Sequence, residues 1–333
     1  MNEIIDIQIK IKFIKDQFED LLAKKLNLVR VSAPLFVKKE SGLNDYLSGK
    51  ERVISFDASG FNLEIVQSLA KWKRNALVQY DFPYSYGLYT DMNAIRRDEK
   101  MDNIHSIYVD QWDWEKLIKL EDRNEEFLFQ TVKDIYSCLL DLNQMVNERF
   151  GIDAKIPEDI HFISSEELLK EYPNLSSKER ENEICRRFGA VFISHIGDKL
   201  ANGKPHDDRA ADYDDWHLNG DILLYNPVLD SAFEISSMGI RVIGDSLVYQ
   251  LHEKGEDYKL ENQYAKDVIS GRLKPSIGGG IGQSRLCMFF LKKEHIGQVQ
   301  SSIWDEANLA LAKEKNIYIL WFYARIKAQR KLF

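Results

Sequence analysis

Two carboxylates near the middle of the chain could hold a metal ion between them. Asp221 begins the apolar segment "DILLY", and Glu234 lies in the segment "SAFEIS" that follows Asn226-Pro227. A hairpin with a loop at 226–229 would place Asp221 directly opposite Glu234, and like charges in that position destabilise a sheet. A divalent cation would remove the repulsion, because Mg²⁺ typically binds one or two carboxylates together with substrate phosphates. Two solvent-exposed carboxylates at a strand end are the alternative.

The densest glycine cluster of the chain, "IGGGIGQSRL" at 277–286, leads into an apolar segment. It does not fit the dinucleotide pattern G-x-G-x-x-G, because Gln283 takes the place of the last glycine, and it lacks the Lys-Ser or Lys-Thr of a P-loop. Glycines allow a ligand to approach the backbone, and a helix that carries Arg285 in its first turn favours an anion at its N-terminus. The segment predicts either an anion site or a helix start packed tightly on a neighbouring strand.

The segment "HSIYVDQWDWE" at 105–115 carries polar side chains among bulky aromatic ones. The two-residue period of a strand places Val109, Gln111, Asp113 and Glu115 on one face and the tryptophans on the other. A strand end that bears Gln111 and Asp113 could bind a small polar ligand, with the aromatic rings excluding water. An edge strand with one hydrated face is the alternative.

Five arginines lie in predicted loops or at the ends of predicted strands and helices: Arg96, Arg97, Arg209, Arg241 and Arg285. Planar guanidinium groups bind carboxylates and phosphates in a bidentate manner. Most arginines are surface residues, but the position of these five beside other unusual polar residues makes them candidates for binding an anionic substrate.

The segments that must position these side chains indicate an α+β fold. Apolar residues at helical spacing predict an amphipathic helix over 5–26, and charged stretches with few glycines predict helices within 122–150 and 165–188. Strands are predicted around Pro34, before a helix within 61–82, at 87–99, at 105–115 and around Asn226-Pro227. Because strands outnumber βαβ alternations, we favour an antiparallel sheet over a doubly wound one. No linker divides the chain, so residues 1–320 are predicted to be one domain and 321–333 a C-terminal extension.

The composition argues against several classes of protein. The net charge is −8 over 333 residues, with both signs interspersed, which argues against a nucleic-acid-binding face. Three distant cysteines, Cys138, Cys185 and Cys287, indicate neither a disulfide framework nor a thiolate metal site. Neither H-E-x-x-H nor G-x-S-x-G occurs, and there is no signal peptide or apolar run of membrane-spanning length. We therefore expect a soluble cytoplasmic protein.

Eight ordered segments resemble the ammonia-dependent asparagine synthetase (aspartate–ammonia ligase) family, which is built on the catalytic fold of class II aminoacyl-tRNA synthetases. They are "LNDYLSG" at 43–49, "SLAKWKR" at 68–74, "GLYTDMNAIRRDE" at 87–99, "HSIYVDQWDWE" at 105–115, "RAADYDDW" at 209–216, "LNGDILLYNPVLDSAFEISSMGIRV" at 218–242, "IGGGIGQSRL" at 277–286 and "HIGQVQ" at 295–300. The resemblance extends from about residue 5 to about residue 320. It implies a class II synthetase-like catalytic domain with a mostly antiparallel central sheet flanked by helices.

The resemblance implies an ATP-dependent amidation in two steps. Aspartate and MgATP form a β-aspartyl-adenylate and diphosphate, and ammonia then displaces AMP to give asparagine. The positions that match the ATP site of the family are Arg96, Ser106, Val109, Asp221, Glu234, Ile235 and Arg285, with Mg²⁺ on Asp221 and Glu234. The positions that match its aspartate site are Ser68, Lys73, Gln111, Asp113, Arg209, Tyr213, Asp214, Ser236 and Arg241. Arg96 is expected at the α-phosphate.

Asp45 is the candidate for the second step. Ammonium is not a nucleophile, so a carboxylate beside the β-carbonyl could hold the cation and help to remove its proton, with Gln111 orienting it. Free ammonia is the expected nitrogen donor, because no cysteine lies in a setting typical of the activated nucleophile of a glutamine-hydrolysing site. The resemblance also implies a homodimer, with part of its interface near the first helix and the first strand.

The sequence departs from the family pattern at three places. Arg97 and Ala211 stand where the family usually has prolines, and a stretch that usually follows Trp216 is missing, which predicts a shorter loop near the site. Two other functions use some of the same residues. One is an aspartyl- or asparaginyl-tRNA synthetase, which would need an anticodon-binding domain and a basic face; the other is a non-catalytic protein that binds adenylates or amino acids.

Overall fold

The computed structural model describes residues 2–48 and 51–320, so the predicted C-terminal extension lies outside the described residues. The strands are β1 (Leu28–Arg30), β2 (Phe36–Lys38), β3 (Ser55–Ala58), β4 (Phe61–Ile65), β5 (Gly87–Ile95), β6 (Tyr108–Leu117), β7 (His161–Ser164), β8 (Ala190–Ser194), β9 (Asp214–Asn226), β10 (Ser231–Arg241) and β11 (Ser276–Gly282). The helices are α1 (Glu3–Leu26), α2 (Ala70–Gln79), α3 (Glu125–Phe150), α4 (Ser165–Glu171), α5 (Ser177–Phe188), α6 (Gly244–Lys254), α7 (Gln263–Ile269), α8 (Gln283–Phe290) and α9 (Glu306–Glu314).

Eight strands form a central sheet in the order β1-β5-β6-β11-β10-β9-β8-β7. The inner pairings, from β5 through to β8, are antiparallel, whereas the outer pairs β1–β5 and β7–β8 are parallel. Three short strands form a second, antiparallel sheet in the order β2-β4-β3. The predicted α+β fold with a mostly antiparallel central sheet is therefore confirmed.

Two long helices, α1 and α3, cover one face of the central sheet. The side chain of Asn2 caps the first turn of α1, and Asn27 ends the helix in the left-handed conformation. In α3, Asn124 caps the first turn and Gly151 takes the left-handed position after the last. The apolar stripes of both helices pack with the two tryptophans of β6 in the main core. The opposite face of β6, with its polar side chains, is therefore left free to form a site.

The predicted elements lie close to their predicted positions. Strands β1 and β2 flank Pro34, and β5 and β6 form the predicted antiparallel pair on either side of the charged segment 96–107. The glycines at 278–282 belong to strand β11, and the helix that follows, α8, carries Arg285 in its first turn, as predicted. After Trp216, where a shorter loop was expected, β9 continues without interruption.

The predicted register of the β9–β10 hairpin is wrong. Asp221 pairs with Ser237 rather than with Glu234, and Glu234 pairs with Leu223. There are two causes: the hairpin loop lies at 227–230, so that Asn226 pairs with Ser231, and a bulge between Glu234 and Ser236 gives β10 one residue more than β9. Alternation alone does not reveal a bulge, yet one extra residue moves every later side chain to the other face. Asp221 and Glu234 share a face of the sheet but are displaced along the hairpin.

Candidate active site

A cavity of about 520 Å³ lies against the polar face of β6, β10 and β11. Of the seventeen residues that the sequence assigns to the site, fourteen line it. They are Ser68, Lys73, Arg96, Ser106, Val109, Gln111, Asp113, Arg209, Tyr213, Asp214, Glu234, Ile235, Arg241 and Arg285. Asp45, Asp221 and Ser236 are not among its lining residues. The structure therefore brings together residues that are more than two hundred positions apart, from Ser68 to Arg285.

The glycines of β11 make room for side chains of the neighbouring strands. A Cβ atom at Gly280 would lie 2.5 Å from Oε1 of Gln111, and one at Gly278 would collide with the carboxylate of Glu115. Gln111 and Glu115 belong to β6, with which β11 pairs over all of its residues, from Ser276 to Gly282. The glycine cluster thus allows β6 to hold long polar side chains flat against the sheet. Gly279, Gly280 and Gly282 themselves line the cavity, as does Arg285 of the helix that follows.

Five buried charged residues cluster at one end of the cavity, and all but Glu115 line it: Lys73, Asp113, Glu115, Asp214 and Arg241. Lys73 forms an ion pair with Asp113, and its Nζ donates to the backbone oxygens of Trp114 (2.9 Å) and Gly279 (3.1 Å). Arg241 forms ion pairs with both Glu115 and Asp214. Burial raises the pKa of Asp214 although Arg241 opposes the shift.

Two arginines form the other end of the cavity. Nη1 of Arg285 lies 3.6 Å from the Glu234 carboxylate and donates to the backbone oxygen of Glu234 at 3.3 Å. Arg96 is 4.0 Å from Glu99, and its buried Nε has no hydrogen-bond partner among the described residues. Burial lowers the pKa of Arg96, and the nearby cation Arg285 lowers it further. Two guanidinium groups close enough to repel each other form a site that an anion would stabilise.

Asp45 lies behind the cavity wall and is fully buried. Its Oδ2 accepts hydrogen bonds from Oγ of Ser68 (2.6 Å) and from the backbone N–H of Ala70 (3.0 Å), at the start of α2. Its Oδ1 has no hydrogen-bond partner within the described part of the chain, and Nζ of Lys71 is 3.9 Å away. Burial raises the pKa of Asp45, although Lys71 and Ser68 oppose the shift. Asp45 thus contacts the cavity through Ser68.

Asp221 is held by Arg209 rather than by the cavity. The two side chains form a close ion pair through Oδ2 of Asp221, while its buried Oδ1 has no hydrogen-bond partner among residues 2–48 and 51–320. Burial raises the pKa of Asp221 to about 7; Arg209 opposes this shift, and Glu234 adds to it. Burial also opposes ionisation of Glu234, but Arg285 and Arg209 outweigh it and lower its pKa. The two carboxylates therefore influence each other despite the changed register.

The bulge in β10 also decides which serine reaches the cavity. Ser236 pairs with Ile222 and Ile281, whose side chains lie in the main core, so its side chain faces that core. Its neighbour Ser237 lines the cavity instead. Sequence reasoning also missed Gln67 and Gln300 as lining residues. Gln67 directly precedes the segment 68–74 and Gln300 ends the segment 295–300, both of which resemble the family. Their positions could therefore have indicated the site, but a glutamine does not by itself suggest a chemical role.

The structure gives no sign of a pre-assembled multidentate metal site or of an activated thiol. Within residues 2–48 and 51–320, no group of three or more His, Cys, Asp or Glu side chains could hold a metal ion. Cys138, Cys185 and Cys287 are buried and unpaired, and burial raises the pKa of each thiol to about 12. No helix in the same residues combines the length and the apolar character needed to cross a membrane.

Known proteins resemble this chain both in sequence and in fold. A family profile described as aspartate-ammonia ligase matches residues 5–316. The aspartate–ammonia ligase of Clostridium perfringens (strain SM101 / Type A) is 57% identical over 319 residues, 95% of either chain. That of Bacillus cytotoxicus is 56% identical over 317 residues, which are 94% of this chain and 97% of the relative.

Solved structures of tRNA synthetases have a similar fold. The asparaginyl-tRNA synthetase of Entamoeba histolytica superposes with a TM-score of 0.63 at 14% identity, over 90% of this chain and 67% of that one. The asparaginyl-tRNA synthetase of Pyrococcus horikoshii, complexed with asparaginyl-adenylate, gives a TM-score of 0.62 at 16% identity, over 88% and 67%. At such identities the likeness concerns the fold, which is that of class II aminoacyl-tRNA synthetases. Because the family profile and relatives above half identity cover nearly the whole chain, this protein belongs to the aspartate–ammonia ligase family.

Proposed function

We propose that this protein converts aspartate and ammonia to asparagine by way of a β-aspartyl-adenylate. In the first step the β-carboxylate of aspartate attacks the α-phosphorus of ATP and diphosphate leaves. In the second step ammonia attacks the β-carbonyl carbon, and AMP leaves with the electrons of the carbon–oxygen bond. The observation that carries the proposal is one cavity with paired cations at each end, Lys73 and Arg241 at one and Arg96 and Arg285 at the other.

The pair Lys73 and Arg241 suits the carboxylate of aspartate that does not react. Both cations are buried, where a charge interaction is stronger than in water. Asp113 and Asp214 line the same end and can accept hydrogen bonds from the ammonium group of the substrate. When the α-carboxylate and the α-ammonium group are held in this way, the β-carboxylate is free to extend toward the Arg96 and Arg285 end of the cavity. This fixed orientation lowers the barrier to its attack on the α-phosphorus of ATP.

The pair Arg96 and Arg285 suits the phosphates of ATP. Their guanidinium groups would bind oxygens whose negative charge grows during displacement at phosphorus. Val109 and Ile235 add apolar lining on which the adenosine part could pack. Both arginines already form part of the cavity wall, so binding of the nucleotide does not require either side chain to move into the site.

Asp221 and Glu234 fit Mg²⁺ as the accompanying cation. Both offer carboxylate oxygens, which this ion prefers, and the buried Oδ1 of Asp221 lacks a hydrogen-bond partner among the described residues. When bound, the ion neutralises phosphate charge and helps diphosphate to leave. Because Arg209 forms an ion pair with Asp221, cation binding would require that guanidinium to move.

Asp45 is assigned to the second step together with Gln111. Ammonium would be held by the Asp45 carboxylate and lose a proton there, while Gln111 orients the resulting ammonia toward the β-carbonyl. Ser68 lies between Asp45 and the cavity and is the contact through which this carboxylate can act.

One assay tests the proposed function. The protein is incubated with ATP, Mg²⁺, aspartate and ¹⁵N-ammonium, and we expect ¹⁵N-labelled asparagine and AMP in equal amounts. Samples without ammonium, or with glutamine in its place, serve as controls. Exchange of diphosphate into ATP without any amide would instead indicate a synthetase-like adenylating enzyme. Neither exchange nor amide would contradict catalysis and favour a protein that only binds these ligands.

A further inference from the structure

The side chain of Glu115 lies at the centre of the charged end of the cavity, although it is not itself a lining residue. It is fully buried, and its Oε1 accepts a hydrogen bond from Oγ of Ser276 at 2.7 Å. Its carboxylate meets Arg241 in a bidentate arrangement, with Nε at 2.9 Å from Oε1 and Nη2 at 2.6 Å from Oε2. Nζ of Lys73 lies 3.9 Å from the same Oε2. One carboxylate thus contacts both cations of this end.

The contacts leave two N–H groups of the Arg241 guanidinium for a ligand. A guanidinium group has five N–H donors, and its Nε–Nη2 edge is taken by Glu115. Nη1 forms an ion pair with Asp214. Both Asp214 and Arg241 line the cavity. One N–H group of Nη1 and one of Nη2 remain, and they can donate to a second carboxylate. Glu115 therefore fixes the plane in which Arg241 can receive a substrate.

The surrounding sequence preserves this arrangement. A side chain at Gly278 would collide with Oε2 of Glu115 and approach Nη2 of Arg241. Burial alone would raise the pKa of Glu115, but Arg241 and Lys73 outweigh it and lower the pKa, so the carboxylate is an anion at neutral pH. Its negative charge balances cations that would otherwise repel each other in a water-poor setting.

We propose that Glu115 is a positioning residue that orients Arg241 and Lys73 toward the α-carboxylate of aspartate and so determines selectivity for an α-amino dicarboxylic acid. The inference rests on the proposed function, because it presupposes that aspartate is the ligand of this end. Glu115 does not touch the substrate and acts through Arg241 and Lys73. Removing its charge should weaken binding of the α-carboxylate while leaving the ATP end unchanged.

The test is calorimetric binding of aspartate, of ATP and of 3-aminopropanoate, which is aspartate without the α-carboxylate. For Glu115→Gln we expect the Kd of aspartate to rise roughly 10- to 100-fold, the range for losing a hydrogen bond to a charged group. The Kd of ATP should change less than about twofold, within the scatter of such measurements. The preference of the wild type for aspartate over 3-aminopropanoate should shrink by a similar factor, because the contact that distinguishes them has been weakened.

Two further variants keep the proposal falsifiable if Glu115→Gln does not fold. Glu115→Asp retains the charge and should restore part of the preference for aspartate, and Ser276→Ala removes one hydrogen bond to Glu115 and should reduce it slightly. Asp267→Asn is the matched control, because Asp267 is a buried carboxylate paired with Arg272 outside the cavity. It should leave all three dissociation constants unchanged.

Binding separates this inference from the proposed function. If the wild type binds aspartate selectively but makes no asparagine, the proposed function fails and the role of Glu115 stands. If asparagine forms, yet Glu115→Gln weakens aspartate and 3-aminopropanoate equally, Glu115 has a merely structural role and the inference is overturned. Absence of aspartate binding by the folded wild type would overturn it as well.

Discussion

Asp45 shows how a buried side chain can combine a structural role with a chemical one. Its carboxylate accepts the N–H of Ala70 at the start of α2, and a carboxylate at a helix N-terminus is stabilised by the helix dipole. The same group is bonded to Ser68, which lines the cavity. Its second oxygen lacks a hydrogen-bond partner in the described part of the chain, so it retains the capacity to accept a proton or bind a small cation.

We predict that Asp45→Ala abolishes asparagine formation, and that Asp45→Asn does the same while keeping the cap of α2. Neither replacement can balance the charge of ammonium or take its proton. Exchange of labelled diphosphate into ATP should persist in Asp45→Asn, because the first step does not use this carboxylate. Asparagine and the labelled ATP formed by exchange are measured in the same sample. Asparagine output at the wild-type level from Asp45→Ala would refute the role.

Helix α2 and the acidic segment 207–213 are tied together by a buried ion pair. Nζ of Lys71 lies 2.6 Å from Asp212, and both side chains are almost fully buried. Asp212 directly precedes Tyr213 and follows Arg209 within a segment that lines the cavity, and Lys71 lies two residues before Lys73. The pair therefore holds two walls of the cavity in register, and neither of its members reaches the cavity itself.

We predict that Lys71→Met lowers the free energy of unfolding by about 3 kcal/mol, because it leaves the Asp212 and Asp45 carboxylates buried without their cation. Urea unfolding at neutral pH measures the change. Lys12→Met is the control, since Lys12 forms an ion pair of similar length with Asp16 that is exposed to solvent. This variant should leave the unfolding midpoint unchanged. An equally small effect of Lys71→Met would show that the buried pair contributes little.

The same pair predicts a dependence on pH. Burial alone would raise the pKa of Asp212, but Lys71 and Lys259 outweigh it and hold the pKa below its ordinary value of 3.8. A carboxyl with a lowered pKa in the folded state contributes stability above its ordinary pKa, and this contribution is lost as the pH falls through the folded pKa. The stability gap between wild type and Lys71→Met should therefore be widest near neutral pH and narrow below about pH 4.

On the scale of the whole molecule, apolar side chains lie exposed on the first helix and the edge strand. Ile5 and Ile9 of α1 are 53% and 45% exposed, and Val29 of β1 is 54% exposed. Strand β1 is at one end of the central sheet, so its outer edge is unpaired within the described chain. Exposed apolar groups beside an edge strand are typical of a surface that another subunit covers. We infer a homodimer formed through α1 and β1.

We predict a mass in solution of twice the 38.8 kDa of one chain. Val29→Glu should shift the mass toward that of a monomer, because it places a charge in the proposed interface. Val248→Glu is the matched control, since Val248 of α6 is also exposed, at 43%, but lies away from the first helix and the edge strand. Light scattering during gel filtration gives both masses. A monomeric wild type would exclude this interface, and dissociation of the Val248→Glu variant would show that the effect is not specific.

The sequence by itself determined several of the elements, and most of its candidate site residues line the cavity. Helical spacing predicted α1, and a charged stretch with few glycines predicted α3. The two-residue period of β6 correctly separated Gln111 and Asp113 from the core tryptophans, because burial of apolar faces follows backbone geometry. The segments that resemble the family supplied fourteen residues of the cavity wall. The periodicity of any one segment could not have shown that these residues lie together.

Tertiary structure decided the rest. The position of the hairpin loop displaced Asp221 from Glu234, because Asn226 pairs with Ser231. The bulge in β10 then exchanged Ser236 for Ser237 in the cavity wall, because one inserted residue turns all later side chains to the other face. The counter-ion of Arg241, Glu115, lies 126 positions away in sequence and became visible only when β6, β11 and β10 were paired. Local patterns specify which side chains share a face along an uninterrupted strand, whereas bulges and the partners of buried charges depend on how the strands pair.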